Sequence, residues 1–275
     1  MSNLRLKLKY HFARKRKVVS ATTSRFVLRL DTEHADDVGQ VLSLRSRIAR
    51  NEWEPDFLDA CFQFIEPQET IVEIGTWIGP YTALLAKYLV PRGKVIGFEP
   101  DPVAFRQCVL NLNLNGITNA QVLPVAISDR VGEISLYTNR IFGNSGSSIL
   151  ETNPVSQGYE RVRVDVPCTT LDKMAATLGV CPSIVKMDIE GAEDLAIEGG
   201  KETLARRNVK IFLEIHHVYL ERRGKSANTV LRSVADLGKD IYFVENNPVY
   251  PYKLLDKVDP ARTIDLPIFH ILAKS

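Results

Sequence analysis

Two short stretches carry the side chains best suited to moving a proton. VKMDIEGAED holds Asp188 and Glu190, and FLEIHH holds Glu214 and His216. Each opens on an apolar run of strand length, so its acids and its histidine arrive where a strand ends. One acid at a strand end is ordinary and can be a solvated rim group. Four titratable groups on two strand ends point to a site. His216 is the natural base near neutral pH if its neutral form is kept, with Asp188 or Glu190 as the alternative base or as the group that orients a substrate. The same residues offer oxygen and nitrogen ligands, but no metal-binding spacing accompanies them and no metal is assigned.

A second constellation lies upstream, in IVEIGTWIGPYT, residues 71–82. Glu73 ends an apolar strand, Gly75 and Gly79 bracket Thr76 and Trp77, and Pro80 starts a helix with Tyr81 and Thr82 in its first turn. Glycines here let backbone approach a ligand, toward which the helix aims its unsatisfied N–H groups. A dinucleotide site would show GxGxxG, whereas this loop reads GxxxG. A carboxylate at Glu73 repels a pyrophosphate and favours a cationic ligand, which selects the sulfonium of S-adenosylmethionine over NAD. Glu99, in GKVIGFEPDP, ends the next strand, where a carboxylate can accept hydrogen bonds from both hydroxyls of a ribose. The plainer reading makes Glu99 a helix N-terminal charge beside Pro100 and Asp101. AQVLPVAISD, read as a third strand, would bring Ala126, Ile127 and Ser128 to an adenine ring. Trp77 and Tyr81 either face the sulfonium or belong to the core.

These residues need a frame. ETIVEIG, GKVIGFEP, AQVLPVAIS, SIVKMDIEG and VKIFLEIHH are strand-like runs separated mostly by amphipathic stretches of helical length, which predicts an open α/β sheet with parallel strands and right-handed crossovers. Residues 130–167 read as a β-hairpin insertion whose loop contains GNSGSS, with Ser145, Ser147 and Ser148 placed to meet a polar substrate or simply to lie on the surface. DIYFVEN and IDLPIFHILA suit an antiparallel hairpin at the sheet edge. Residues 1–50 read as a basic arm followed by a helical extension, and 51–275 as the main domain.

The 275 residues are 45% hydrophobic and 25% charged, the balance of a globular chain with one main core. No apolar run reaches the roughly 18 residues of a membrane span and no signal-peptide core follows the basic start, so a cytoplasmic protein is expected. Cys61, Cys108, Cys168 and Cys181 form no CxxC pair and read as buried free thiols. The arm carries Arg5, Lys7, Lys9, Arg14, Lys15, Arg16 and Lys17 without an acid, fit for a membrane surface, a partner subunit or plain solvation.

Taken together, IVEIGTWIGPYT, VIGFEPDP, VLNLNLNGITN, AISDRVGEISLY, GNSGSS, VDVPCTTLDKM, VKMDIEGAEDLAIEGG and FLEIHH resemble the FkbM family of S-adenosylmethionine-dependent methyltransferases over roughly residues 52–217. The resemblance implies a class I methyltransferase fold, a seven-stranded sheet with its last strand reversed. It also implies O-methylation of a sugar, glycan or secondary-metabolite hydroxyl. The family usually has a small residue and Asn between its glycines, where this chain has Thr76 and Trp77. DIEG stands where base-methylating enzymes carry an Asn/Asp-Pro-Pro-aromatic turn, so nucleic acid is not an expected partner. Two alternatives remain: a binding module without catalysis, and a nicotinamide-dependent sugar oxidoreductase, which the GxxxG spacing and the absence of a Tyr-x-x-x-Lys pair disfavour.

Overall fold

The computed structural model describes residues 17–35, 37–139, 146–151, 161–244 and 253–275. Among them, the chain opens with a hairpin, β1 (Val18–Thr22) and β2 (Val27–Asp31), and two helices, α1 (Val38–Ala49) and α2 (Pro55–Phe64). Then come β3 (Thr70–Ile74), α3 (Pro80–Leu84), β4 (Lys94–Phe98), α4 (Pro102–Leu114) and β5 (Ala120–Leu123). A small three-stranded sheet follows, made of β6 (Ala126–Ile127), β7 (Gly132–Asn139) and β8 (Arg161–Thr169). The chain then runs through α5 (Leu171–Leu178), β9 (Ile184–Met187), α6 (Glu193–Glu198), α7 (Lys201–Leu204), β10 (Lys210–Ile215), α8 (His217–Glu221) and α9 (Ala227–Asp236). It ends with β11 (Asp240–Phe243) and β12 (Phe269–Lys274).

The main sheet has the order β11-β12-β10-β9-β3-β4-β5. Neighbouring strands from β10 to β5 are parallel, and β12 runs antiparallel to both β10 and β11. Strand order therefore reverses between β3 and β9, the switch point at which open α/β sheets bind ligands.

Alternation along these strands divides the core into two layers. Ile71, Ile184, Phe212 and Leu272 face one side, against Phe57, Leu84 and the β1–β2 hairpin. Val72, Val185, Leu213 and Ile271 face the other, against Ala196, Leu204 and Val230. Counting on by two from the first set gives Glu73, Lys186, Asp188, Glu214 and His216, and counting back from Leu272 gives His270. One face of the sheet thus changes from apolar to charged toward the carboxyl ends of its parallel strands.

Four expectations need correcting. AQVLPVAISD is not one strand: Pro124 cannot donate to a ladder, β5 stops at Leu123, and Ala126–Ile127 pairs with β8 in the small sheet. The two terminal strands are antiparallel at the sheet edge as expected, but residues 244–268 join them, not a short turn, and β12 lies inside β11. The N-terminal segment is not merely an arm and a helix, because β1 and β2 pair residue for residue and share the apolar cluster of the main domain. Cys181 is exposed, while Cys61, Cys108 and Cys168 are buried. Arm residues before Lys17 lie outside the described residues, and Lys17 pairs with Glu33.

The asparagines of VLNLNLNGITN fasten this segment to the ligand-side loop. On α4, Asn111 Oδ1 accepts from the Asp31 backbone N–H (2.7 Å) and its Nδ2 donates to the Ile78 carbonyl (2.7 Å). One turn on, Asn115 Oδ1 accepts from Arg29 N–H and its Nδ2 donates to the Arg29 carbonyl, completing the outer edge of β2 with side chains. Asn111→Leu would strand one buried N–H and one carbonyl, at about 1–3 kcal/mol each. Urea unfolding should show a loss of roughly 2–6 kcal/mol against wild type; an unchanged midpoint would refute the tether.

Candidate active site

A cavity of about 440 Å³ opens over the switch point. From β3, the loop after it and the start of α3 come Glu73, Gly75, Thr76, Trp77, Pro80 and Tyr81; from the end of β4, Glu99 and Pro100; from β6, Ala126 and Ile127; and from the stretch between β7 and β8, Ser147 and Ser148. Lys186, Asp188, Glu190, Glu214 and His216 line the opposite side. The structure brings together most of the residues expected from sequence. Ser145 lies outside the described residues.

Three expected residues do not face the cavity. Thr82 is fully buried and donates its hydroxyl to Glu73 Oε2 (2.7 Å). Ser128 is buried in the small sheet, bonded to Asp129 Oδ1, with its N–H on the Thr169 carbonyl. Gly79, in the left-handed region at φ 82°, gives way to Cys108, whose Sγ would lie 2.5 Å from an added Cβ. Gly75, at φ 84°, lines the cavity, but its missing side chain makes room for protein: a Cβ there would lie 1.9 Å from the Asp188 carbonyl oxygen. The pair of glycines thus packs the loop onto β9 and α4.

Glu99 is set differently from Glu73. Its Oε2 accepts from Trp77 N–H (2.7 Å) and its Oε1 from Asp101 N–H (2.9 Å), which aims the carboxylate while each oxygen keeps a second lone pair. Burial pushes its pKa up to about 8, with the Asp101 and Asp188 charges adding to the rise and the two backbone donors opposing it. Trp77 holds φ 47°, a left-handed conformation that asparagine adopts more readily than tryptophan.

Glu73 has a partner that the sequence reading missed. It is wholly buried beside Lys186, the residue in register with it on β9, at Oε1–Nζ 3.6 Å. Lys186 Nζ also stands 3.7 Å from Asp188 Oδ2 and 4.5 Å from the Tyr81 ring centroid. The cation beside Glu73 and over Tyr81 is therefore the protein's own. Burial raises the Glu73 pKa, while Lys186 and Thr82 pull it back.

His216 sits among carboxylates. Nδ1 is 2.8 Å from Glu193 Oε1, while Nε2 is 3.5 Å from Glu190, 3.8 Å from Glu214 and 3.9 Å from Asp188. Burial works against the imidazolium, but the Glu193 hydrogen bond and the charges of Glu190, Glu193 and Glu214 lift its pKa to about 10. The condition for His216 as a free base, a neutral ring, is thus not met here. Burial raises Asp188 and Glu190, whereas at Glu214 the pull of His270, His216 and Lys186 outweighs burial and holds its pKa below the usual range.

Beyond Lys186, the sequence reading also missed Glu193, Glu54 and His270. Glu54 accepts from the Tyr81 hydroxyl and lies 3.6 Å from His270 Nε2, which is equally far from Glu214. The i, i+2 pairs in KMD and EIH carried part of this signal; His270 and Glu54 reach the site through strand pairing and helix packing that no local pattern records. Tyr219 stacks on His216 at a centroid distance of 5.5 Å. Gln40, Ser43 and Arg47 of α1 form a further wall of the cavity.

The sequence model of the Methyltransferase FkbM domain matches residues 73–245, more than half of the chain. The chain belongs to the FkbM methyltransferase family. It is similar to the 2-O-methyltransferase NoeI of Sinorhizobium fredii, 30% identical over 183 residues, which covers 62% of this chain and 72% of that protein. Methyltransferase 1 of Beauveria bassiana is 26% identical over 164 residues, covering 52% of this chain and 64% of the relative. Among solved structures, methyltransferase FkbM from Methylobacillus flagellatus aligns with a TM-score of 0.49 at 14% identity, covering 89% of this chain and 55% of that one. The chain is a methyltransferase of α/β class I architecture, and its family implies S-adenosylmethionine as methyl donor. Among the described residues, no helix is long and apolar enough to cross a membrane.

The Glu73–Lys186 pair is testable apart from activity. Lys186→Met leaves a carboxylate uncompensated in the interior, which costs about 3–5 kcal/mol. Adding Glu73→Gln should recover most of the loss in chemical unfolding at pH 7, and a double variant no more stable than the single one would refute the pairing.

Proposed function

We propose that this FkbM methyltransferase binds S-adenosylmethionine over the Gly75–Gly79 loop. It then methylates a hydroxyl of a sugar, glycan or secondary metabolite presented to the Asp188–His216 side of the cavity. The observation that carries the reading is that one cavity joins the Glu99 carboxylate to the acid and histidine cluster, so that a cofactor and an acceptor fit against each other. Glu99 would accept the ribose hydroxyls, Ala126 and Ile127 would flank the adenine, and Pro100 and Trp77 would close its sides. Bound S-adenosylmethionine supplies an electrophilic methyl group.

The chain supplies alignment and a proton acceptor. Holding the hydroxyl in line, close and dry supplies most of the rate in such a displacement. The hydroxyl must also lose its proton. Asp188 and Glu190, whose proton affinities burial lifts toward neutrality, are matched to that task. His216, fixed by its Nδ1 contact to Glu193, turns Nε2 to the carboxylates of Glu190, Glu214 and Asp188 and orients them. Ser147 and Ser148 reach the cavity from the insertion, already tied by hydrogen bonds to Asp101 Oδ2 and the Glu190 carbonyl. The similar protein NoeI is a 2-O-methyltransferase, which supports a hydroxyl acceptor here.

Isothermal titration with S-adenosylmethionine, S-adenosylhomocysteine and NAD tests the reading. The first two should bind, and binding of NAD alone would favour the oxidoreductase alternative. Glu99→Gln should weaken cofactor binding about 10- to 100-fold, the equivalent of a charge-assisted hydrogen bond or two. Because the raised Glu99 pKa of about 8 keeps most of this group protonated at neutrality, wild-type affinity should rise from pH 7 to pH 9 as the accepting carboxylate forms. Glu99→Gln should lack that component; an identical pH profile in both proteins would refute the role of Glu99.

A further inference from the structure

We propose that Asp188, Glu190 and His216 bind one divalent cation of the Mn²⁺ type, with Glu214 beside it. The two ring nitrogens of His216 carry the argument. Nδ1 makes an ordinary hydrogen bond, 2.8 Å to Glu193 Oε1, and Glu193 is itself wholly buried and held by the Gly191 N–H. Nε2 makes a different kind of contact. It faces one oxygen each of Glu190, Glu214 and Asp188 at 3.5, 3.8 and 3.9 Å. These separations exceed the about 2.7–3.2 Å of an N–H···O hydrogen bond. They match the spacing of two ligands on one ion, since donors about 2.0–2.2 Å from a metal stand roughly 3–4.4 Å apart.

The donor atoms of Asp188, Glu190 and His216 all lie within 4.8 Å of one another. A ring nitrogen fixed by a carboxylate behind it, with its other nitrogen turned to a set of carboxylates, is the arrangement of a metal-bound histidine and its supporting acid. His216 is only 2% exposed, so its ring is set by packing between Glu193 and Tyr219. One imidazole with carboxylate oxygens suits an ion that accepts both nitrogen and oxygen ligands; the ion takes the place of the Nε2 proton, which is released to solvent, while Nδ1 keeps its hydrogen bond to Glu193. Asp188 and Glu190 keep 29% and 19% side-chain exposure toward the cavity, which leaves coordination positions open on the acceptor side. Each carboxylate ligates through one oxygen, so its second oxygen remains a hydrogen-bond acceptor. A hydroxyl entering an open position would be held and acidified there. That use of the ion rests on the methyltransferase reading above; its binding does not.

The test titrates the full chain, stripped with a chelator and free of cofactor, with Mn²⁺ by calorimetry. One ion per chain is expected, with Glu190→Gln and Asp188→Asn each weakening it about tenfold or more. Glu198→Gln, in an exposed pair with Lys201, should bind as wild type does. Electron spin echo spectra of the bound Mn²⁺ should carry modulation from an imidazole nitrogen. No binding up to millimolar Mn²⁺, equal affinity in all variants, or no nitrogen coupling in the wild-type chain would each overturn the proposal. Binding of S-adenosylmethionine is measured separately. A chain that takes the cofactor but no Mn²⁺ loses only the metal site, and one that takes Mn²⁺ but no cofactor loses only the cofactor reading.

Discussion

Charge buried at the carboxyl ends of adjacent strands must be balanced within the sheet itself, because water is too far away to do it. Here the balance follows strand register. Glu73 stands beside Lys186 across β3 and β9, and Glu214 beside His270 across β10 and β12. Along each strand the period of two then sets Lys186 before Asp188 and Glu214 before His216 on the same face. A one-residue slip between β3 and β9 would turn Glu73 or Lys186 into the apolar layer of Val72 and Val185, alone. The same register that closes the core therefore fixes the site.

The face that carries these charges is also the one covered by the N-terminal segment. Phe57 of α2 packs edge-on against Phe212 and tilts onto the His270 ring, so apolar cover reaches up to the first charged row. Just past it, Trp53 and Glu54 reach the cavity, and α1 adds its polar wall. The segment lies before residue 73, where the family match begins. Its hold on the domain is polar as well as apolar, through Asn111, Asn115 and Gln107. The cavity is thus built partly by residues that precede the matched range and partly by residues within it.

Much of the fold was legible because its signals are local. Apolar runs of strand length, Pro80 and Pro102 at helix starts, Asp101 capping α4 and Gly116 at φ 68° after it are each written within a few residues. The strand ends bearing Asp188, Glu190, Glu214 and His216 followed from the same runs. What needed the structure was pairing between distant segments. Nothing near Glu73 says that its neighbour across the ladder is lysine, and nothing near Gly75 says that the Asp188 carbonyl presses against it. The Pro124 break was visible in the sequence, and a strict reading of proline in a strand would have ended β5 there.

Glu73 and Glu99 were expected to do related work, since each ends a parallel strand beside the glycine loop. Their partners separate them. Glu73 faces a lysine, so the pair presents little net charge to the cavity and exerts little pull on a sulfonium or push on a pyrophosphate. Glu99 is held by two backbone N–H groups, which orient it without cancelling it, and remains an acceptor. Charge elsewhere on the cavity wall is partnered in a different way. Asp188 shares Lys186 with Glu73, and Asp188, Glu190 and Glu214 all face the His216 ring, with His270 also beside Glu214. The sequence pattern around the glycine loop therefore shows where the two carboxylates stand, while their net charge is decided by partners on β9 and by backbone donors.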